Sequence, residues 1–309
     1  MKRGMLEVQF NWIFILIAGA VILAFFFTIV QKQRSISDEK LALALINQFD
    51  AVTTGASVAK GSAQRIDLPR AGIDFGCSDE CTCAFSIGDI SRDYRDKIIF
   101  SPKHIEGKDV VFWTLDWSIP FRANNFLYVT NDRIKYFFVY DGQNPSSAQL
   151  KGIIQQQLPD KINAEFIEPD KLCTGSPECV KNENYQQVKF VLLDVTPPAG
   201  GNLGDLDSSF TSTDVTGLHI DAGASQVTFI KCPRKVISSC PTEQLSYVGD
   251  AGLLAAVFAY DATMYRCNMQ EAVRRLSYVS QVMKGRTNVL ANDPSLTDRG
   301  CGYTTNNLD

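Results

Sequence analysis

Trp12 to Val30 is a run of 19 residues with no charged side chain. It restricts what the chain can fold into more than any other feature. A helix rises about 1.5 Å per residue, so the run nearly crosses a ~30 Å hydrocarbon core. Val8, Gln9, Phe10 and Asn11 extend it into the interface, where Phe10 and Trp12 suit an aromatic anchor. A buried core helix and a cleaved secretory signal are the alternatives. A cleaved signal has a shorter apolar region followed by a small-residue cleavage site. Here the run passes directly to Gln31, Lys32, Gln33 and Arg34. One crossing of a lipid bilayer is therefore expected. The later stretch LLAAVFA, from Leu253 to Ala259, is too short for a second.

Lys2 and Arg3 precede the run, and Lys32 and Arg34 follow it. The positive-inside bias is close to balanced and does not orient the span. Residues 1–34 carry +3, whereas the chain of 309 residues carries −4, so the remainder carries −7. An acidic remainder fits an exported domain. It argues against a nucleic-acid partner, which would need a basic footprint. Hydrophobic residues make up 45% of the chain, which excludes a disordered chain.

The cysteines point to a compartment. All nine lie beyond the apolar run: Cys77, Cys81, Cys83, Cys173, Cys179, Cys232, Cys240, Cys267 and Cys301. Several stand in polar, turn-rich segments (CSDECTC, CTGSPEC, CPRKVISSC), where packing does not call for them. Oxidised pairing in an exported domain is the natural reading. Proximity suggests Cys173–Cys179, Cys232–Cys240 and Cys267–Cys301, with Cys77 joined to Cys81 or Cys83 and one thiol left over. This places the C-terminal bulk outside the cytoplasm and the N-terminus inside. Zinc at Cys77, Cys81 and Cys83 with a fourth thiolate is the competing reading. A redox pair Cys81-Thr-Cys83 is a third, although it lacks CxxC spacing.

Four segments follow. Residues 1–34 are the tail and membrane helix. Residues 35–54 continue it as a helical stalk, with Leu41, Leu45, Ile46, Phe49 and Val52 at three- and four-residue steps and no Pro or Gly between. Its apolar face needs a partner, either the chain's own head or a neighbouring copy. Residues 55–249 form a mixed head. The aromatic runs within 109–141, separated by Thr130-Asn131-Asp132-Arg133, predict a hairpin. Trp113 and Trp117 fit buried sheet positions or a binding surface. Strand 134–140, helix 147–158 and strand 162–167 suggest a βαβ unit, with Ser146 and Gln149 as a capping box and Pro159 as the stop. Residues 187–195 read as an apolar strand, and 216–221 with 226–231 as a hairpin. Residues 250–309 are expected as helices and a tail packed on the head, broken near Asp261–Tyr265. The fold class is α+β, or α/β if the βαβ unit dominates.

Catalytic signatures are sparse. No GxxxxGK[ST], HExxH, GxSxG or post-strand GxGxxG occurs. Asp141 and Asp194 each follow an apolar strand, as active-site carboxylates and turn starters both do. Asp205, Asp207, Ser209 and Asp214 only faintly match a calcium loop. Gly249-Asp250-Ala251-Gly252 opens a helix and fits a loop with a cap, or an anion seat. His104 and His219 have no second histidine or cysteine nearby in sequence. The chain is read as a non-enzyme without cofactor, in a structural, adhesive or binding role. A membrane-tethered metal- or thiol-dependent enzyme at Cys77, Cys81 and Cys83 is the reading from another class.

Lys2-Arg3-Gly4, then Met5-Leu6-Glu7 and the apolar run, resembles the class III signal peptide of archaeal type IV pilin-like proteins. The resemblance implies cleavage between Gly4 and Met5, retention of the apolar segment, and self-association through it in a filament. It covers the first fifth of the chain. Glu7 falls at the third mature position, whereas bacterial-type pilins place a glutamate at the fifth.

Overall fold

A computed structural model describes residues 4–58, 63–67, 72–107, 109–173, 176–195, 210, 213–231 and 241–291. The element order is α1 (Gly4–Val58), β1 (Ala63–Asp67), β2 (Ile73–Cys77), β3 (Cys83–Ile87), β4 (Ile90–Asp93), β5 (Ile99–Phe100), β6 (His104–Ile105), β7 (Asp109–Ser118), β8 (Arg122–Asn131) and β9 (Ile134–Tyr140). There follow α2 (Pro145–Gln157), β10 (Ala164–Ile167), β11 (Gln187–Leu193), β12 (Asp214–Asp221), β13 (Gln226–Lys231), β14 (Thr242–Ser246), α3 (Gly249–Phe258) and α4 (Ala262–Ala291). The chain is thus a mixture of helices and sheets behind one long N-terminal helix.

α1 runs unbroken for 55 residues, about 80 Å at the usual helical rise. Its last turns enter the head between two sheets. Phe49 meets Phe75 and Phe85 at 5.7 and 4.7 Å on the antiparallel sheet β4-β3-β2-β6. On its other side it meets Phe112 at 5.3 Å, on the sheet β1-β7-β8-β5. Successive strand residues point to opposite faces, so Trp113 turns away from α1. Trp113 packs edge-on against Phe258 of α3 at 4.6 Å. Phe258 in turn reaches Tyr136 of a third, six-stranded sheet at 4.8 Å. The order of layers is sheet, α1, sheet, α3, sheet.

That order corrects one expectation. α3 is not laid over the head; every residue from Ala251 to Phe258 is buried. A helix that is apolar all round belongs inside, and GDAGLLAAVF has no polar face to show to water.

The third sheet has the order β10-β9-β11-β12-β13-β14. Its first four strands are parallel, and β13 and β14 are antiparallel additions. The βαβ unit β9-α2-β10 is present. Its cap is Asn144 rather than Ser146: the Asn144 side chain accepts a hydrogen bond from Ser146 N at 3.0 Å, and Pro145 takes the first helical position. α2 covers one face of the sheet through Leu150 and Ile154. The other face carries Phe137, Val139, Phe190 and Leu192, closed by Ile167 and Phe210. β9 leads to β10 on one side of it in the sheet, and β11 leads to β12 on the other, so a topological switch point lies between β9 and β11.

The predicted hairpin at residues 130–133 is a second correction. β8 and β9 lie in different sheets. The turn between them is local: Asn131 Oδ1 accepts from Arg133 N at 3.2 Å, while Asn131 Nδ2 donates to Glu106 O at 2.9 Å. The hairpin in this region is β7–β8, paired from Val110–Asn131 to Ser118–Arg122. The hairpin β12–β13 is formed as expected, closing at Asp221–Gln226.

Candidate functional site

The two ends of α1 have opposite environments. Ile15–Gln33 is long and apolar enough to cross a membrane, and none of its apolar window is buried against the rest of the chain. Trp12, Leu16, Val21, Phe25, Phe26 and Phe27 each expose more than half of their surface. A continuous apolar surface of that size is unfavourable in water, at roughly 25 cal/mol per Å². Beyond it, Leu45, Ile46 and Phe49 are buried to within 4%. Asp50 fixes the helix electrostatically. Its carboxylate pairs with Lys97 and, at 3.2 Å, with Arg92, while Lys97 Nζ also donates to Asp50 O at 3.2 Å. The Lys97 side chain is only 3% exposed while that of Asp50 is 37% exposed, so the contact is half-enclosed and partly screened by solvent. Gly4 and Met5 lie in the first turn of α1.

The cysteines staple the head around that graft. Cys77 bonds to Cys83 across the β2–β3 pair, and Cys173 to Cys179. Cys267 does not bond to Cys301; it bonds to Cys81, across 186 residues of sequence. The reason is topological. α4 passes over the β2–β3 turn, which brings Cys267 to Cys81 and Asn268 to within 3.9 Å of the Cys77 sulfur. Cys232, Cys240 and Cys301 lie outside the described residues. Cys77, Cys81 and Cys83 all carry S–S bonds, so none is available as a thiolate for zinc or for redox attack. Among the described residues no group of three or more His, Cys, Asp or Glu is placed to hold a metal.

The carboxyl ends of the parallel strands bring three aspartates to one edge: Asp141 after β9, Asp194 after β11 and Asp221 closing β12. Sequence singled out the first two and missed Asp221. Each carboxylate is engaged by a hydrogen bond, two within their own turns and one across the sheet. Asp141 Oδ1 accepts from Gln143 N at 2.8 Å, Asp221 Oδ1 from Ala224 N at 2.8 Å, and Asp194 Oδ2 from Asn144 Nδ2 at 3.3 Å. Asn144 also donates to Asp194 O at 3.0 Å, which ties α2 to β11 across the switch point. Asp194 holds φ at +50°, a left-handed conformation that aspartate tolerates. His219, half-buried on β12, has its pKa pulled down by burial, against the pull of Asp221 and Asp194. Burial raises the Tyr247 phenol, and Asp221, Asp194 and Asp250 add to it. Asp141 and Asp221 are thus turn acceptors, and Asp194 holds the Asn144 side chain.

No family model, curated protein or solved structure matches this chain.

The remaining candidates have structural places. Asp205, Asp207 and Ser209 lie outside the described residues, and Asp214 opens β12. Gly249 opens α3 with φ at +70°, which explains a glycine there. His104 Nδ1 lies 2.7 Å from Asp74 Oδ1 on the exposed β2–β6 edge. Trp113 and Trp117 are buried, and Trp117 Nε1 donates to Val248 O at 3.0 Å. One buried group went unread: Lys189, within the apolar strand QVKFVLL. Its ammonium donates to Ala256 O and Ala259 O at 3.0 and 2.6 Å, at the C-terminal end of α3. Burial pulls its pKa down to about 7, opposed by Asp261. A lone lysine in a fully apolar strand was the available signal.

Proposed function

We propose that the chain is a single-pass membrane protein whose disulfide-stapled head stands outside the cytoplasm in a structural, adhesive or binding role. One observation carries the reading. The apolar window of Ile15–Gln33 is wholly exposed, on the same helix whose far end is built into the core of the head. A lipid bilayer would cover that surface. The three disulfides among the described residues support an oxidising compartment. The test is extraction of native membranes at alkaline pH, followed by mass mapping without reduction. The protein stays with the lipid, and the linked peptides contain Cys81–Cys267. Release into the wash, or free thiols at Cys77, Cys81 and Cys83, contradicts the reading and returns the thiol- or metal-dependent enzyme.

The second reading is a pilin-like filament subunit processed after Gly4. The continuity of α1 from the apolar run into the head favours it, because such a subunit needs an assembly helix rigidly joined to its head. The same mass map decides: a mature start at Met5 supports the subunit, and a start at Met1 or Lys2 leaves a permanent anchor.

A further inference from the structure

We propose that the notch beside β5 binds a compact oxyanion, a phosphate or sulfate group. β5 has two residues and pairs only with Leu127 and Tyr128 of β8. The first half of β8 is therefore paired along its β7 edge and opens on the other into a cleft of about 350 Å³. That is the lower end of the ~300–1,000 Å³ range of small-ligand sites. Its polar lining is Asp96, Lys97, Arg122, Asn124, Asn125 and Arg275.

Each arginine has one carboxylate neighbour, Asp116 for Arg122 and Glu271 for Arg275, and is otherwise oriented by neutral oxygens. Asn125 Oδ1 accepts from Arg122 Nε and Nη2 at 3.3 and 2.9 Å. Asn124 Oδ1 accepts from Arg275 Nη1 at 3.3 Å, and Arg95 O from Arg275 Nη2 at 3.2 Å. Amide and carbonyl oxygens orient a guanidinium without cancelling its charge. The nearby carboxylates are shared. Glu271 serves Arg274 and Arg275, Asp50 serves Arg92 and Lys97, and Asp116 lies 3.4 Å from Arg122. Counted by lining alone, three cations, Lys97, Arg122 and Arg275, stand against one acid, Asp96. The larger cleft beside β10, about 570 Å³, differs in this respect. Its three lysines face four glutamates, with Lys135–Glu165 at 2.9 Å and Lys171–Glu178 at 3.4 Å. It neutralises itself, whereas the β5 notch keeps a positive excess. Two planar guanidinium groups lining one small cleft suit the oxygens of a tetrahedral anion. Arg122 is half exposed, so the site is open to solution.

The test is calorimetric titration of the full chain in detergent micelles with inorganic phosphate and with sulfate, at constant ionic strength set by chloride. Saturable binding is expected. Arg122→Gln weakens it about tenfold or more, equivalent to ~1.4 kcal/mol. Asn125→Asp, which sets an isosteric carboxylate beside Arg122, abolishes it. An unchanged unfolding midpoint of Arg122→Gln without anion shows that the fold is intact. A sugar monophosphate that binds more tightly than inorganic phosphate identifies the anion as part of a larger ligand; equal affinity identifies the oxyanion alone. Absence of saturation by either ion, or saturation unchanged in both variants, overturns the proposal.

Discussion

Residues 15–33 and 45–53 belong to one helix and obey opposite rules. In the first stretch apolar side chains point in every direction and meet nothing else in the chain. In the second only Leu45, Ile46, Phe49 and Thr53 are buried, while Asn47, Gln48 and Ala51 on other faces stay exposed. Secondary structure does not separate the two; the solvent that each pattern requires does. An all-round apolar helix must be enclosed, by lipid or by protein. α3 shows the second solution, because two sheets of the same chain enclose it. α1 has no such cover over Ile15–Gln33. The comparison teaches that the head should owe its stability to everything beyond about residue 45, and nothing to the apolar run.

The largest effect that can break this comparison comes from the long-range staple. Replacing Cys81 and Cys267 together with serine should destabilise the head by about 5 kcal/mol, because the bond closes a loop of more than 180 residues. Chemical denaturation of the full chain in micelles measures this. A loss no larger than that of Cys173→Ser/Cys179→Ser, whose loop spans six residues, would put the core somewhere other than the junction of β2, β3 and α4.

Phe49→Ala comes next, at about 3–5 kcal/mol, since the ring fills the junction of Phe75, Phe85 and Phe112. The variant should stay membrane-bound while its head unfolds at lower denaturant. Loss of both properties together would mean that the two halves of α1 are not independent.

Lys189 sharpens the account through pH. Its folded pKa of about 7 lies below the ordinary 10.5. Between those values the unfolded chain binds a proton that the folded head does not. Stability should therefore rise with pH from about 7, by up to a few kcal/mol. Lys189→Met should lack that rise when wild type and variant are compared at about pH 7 and pH 9, below the range where tyrosines ionise. Parallel pH profiles would place the ammonium in solvent.

Phe26→Ala should give the smallest effect, within about 0.5 kcal/mol of wild type in the stability of the head. A larger loss would show that the apolar run packs on the head after all.

Much of this plan was legible in the sequence. The unbroken helix followed from the lack of Pro and Gly between Gln31 and Thr54. The βαβ unit followed from strand patterns on either side of a helix read as capped by Ser146 and stopped before Pro159. The misread hairpin and the misread disulfide share one cause. Thr130–Arg133 has the chemistry of a turn, and turn chemistry is local; whether the next strand pairs with the previous one depends on distant partners. Here β9 is taken by β10 and β11. The Cys81–Cys267 bond is equally non-local, because only the path of α4 over β2 and β3 brings the sulfurs together. Asp221 was missed because it ends a strand inside a hairpin; its kinship with Asp141 and Asp194 exists only once β9, β11 and β12 are seen to be parallel. The β5 notch had no sequence signal, since its arginines come from β8 and α4.

The central claim is that one helix joins a bilayer to a head on its outer side. Labelling of intact cells with a membrane-impermeant amine reagent tests it most directly. Lys161 and Lys181 are exposed on the head. The account predicts that both are modified before the cells are broken. Modification only after lysis would place the head in the cytoplasm and contradict it.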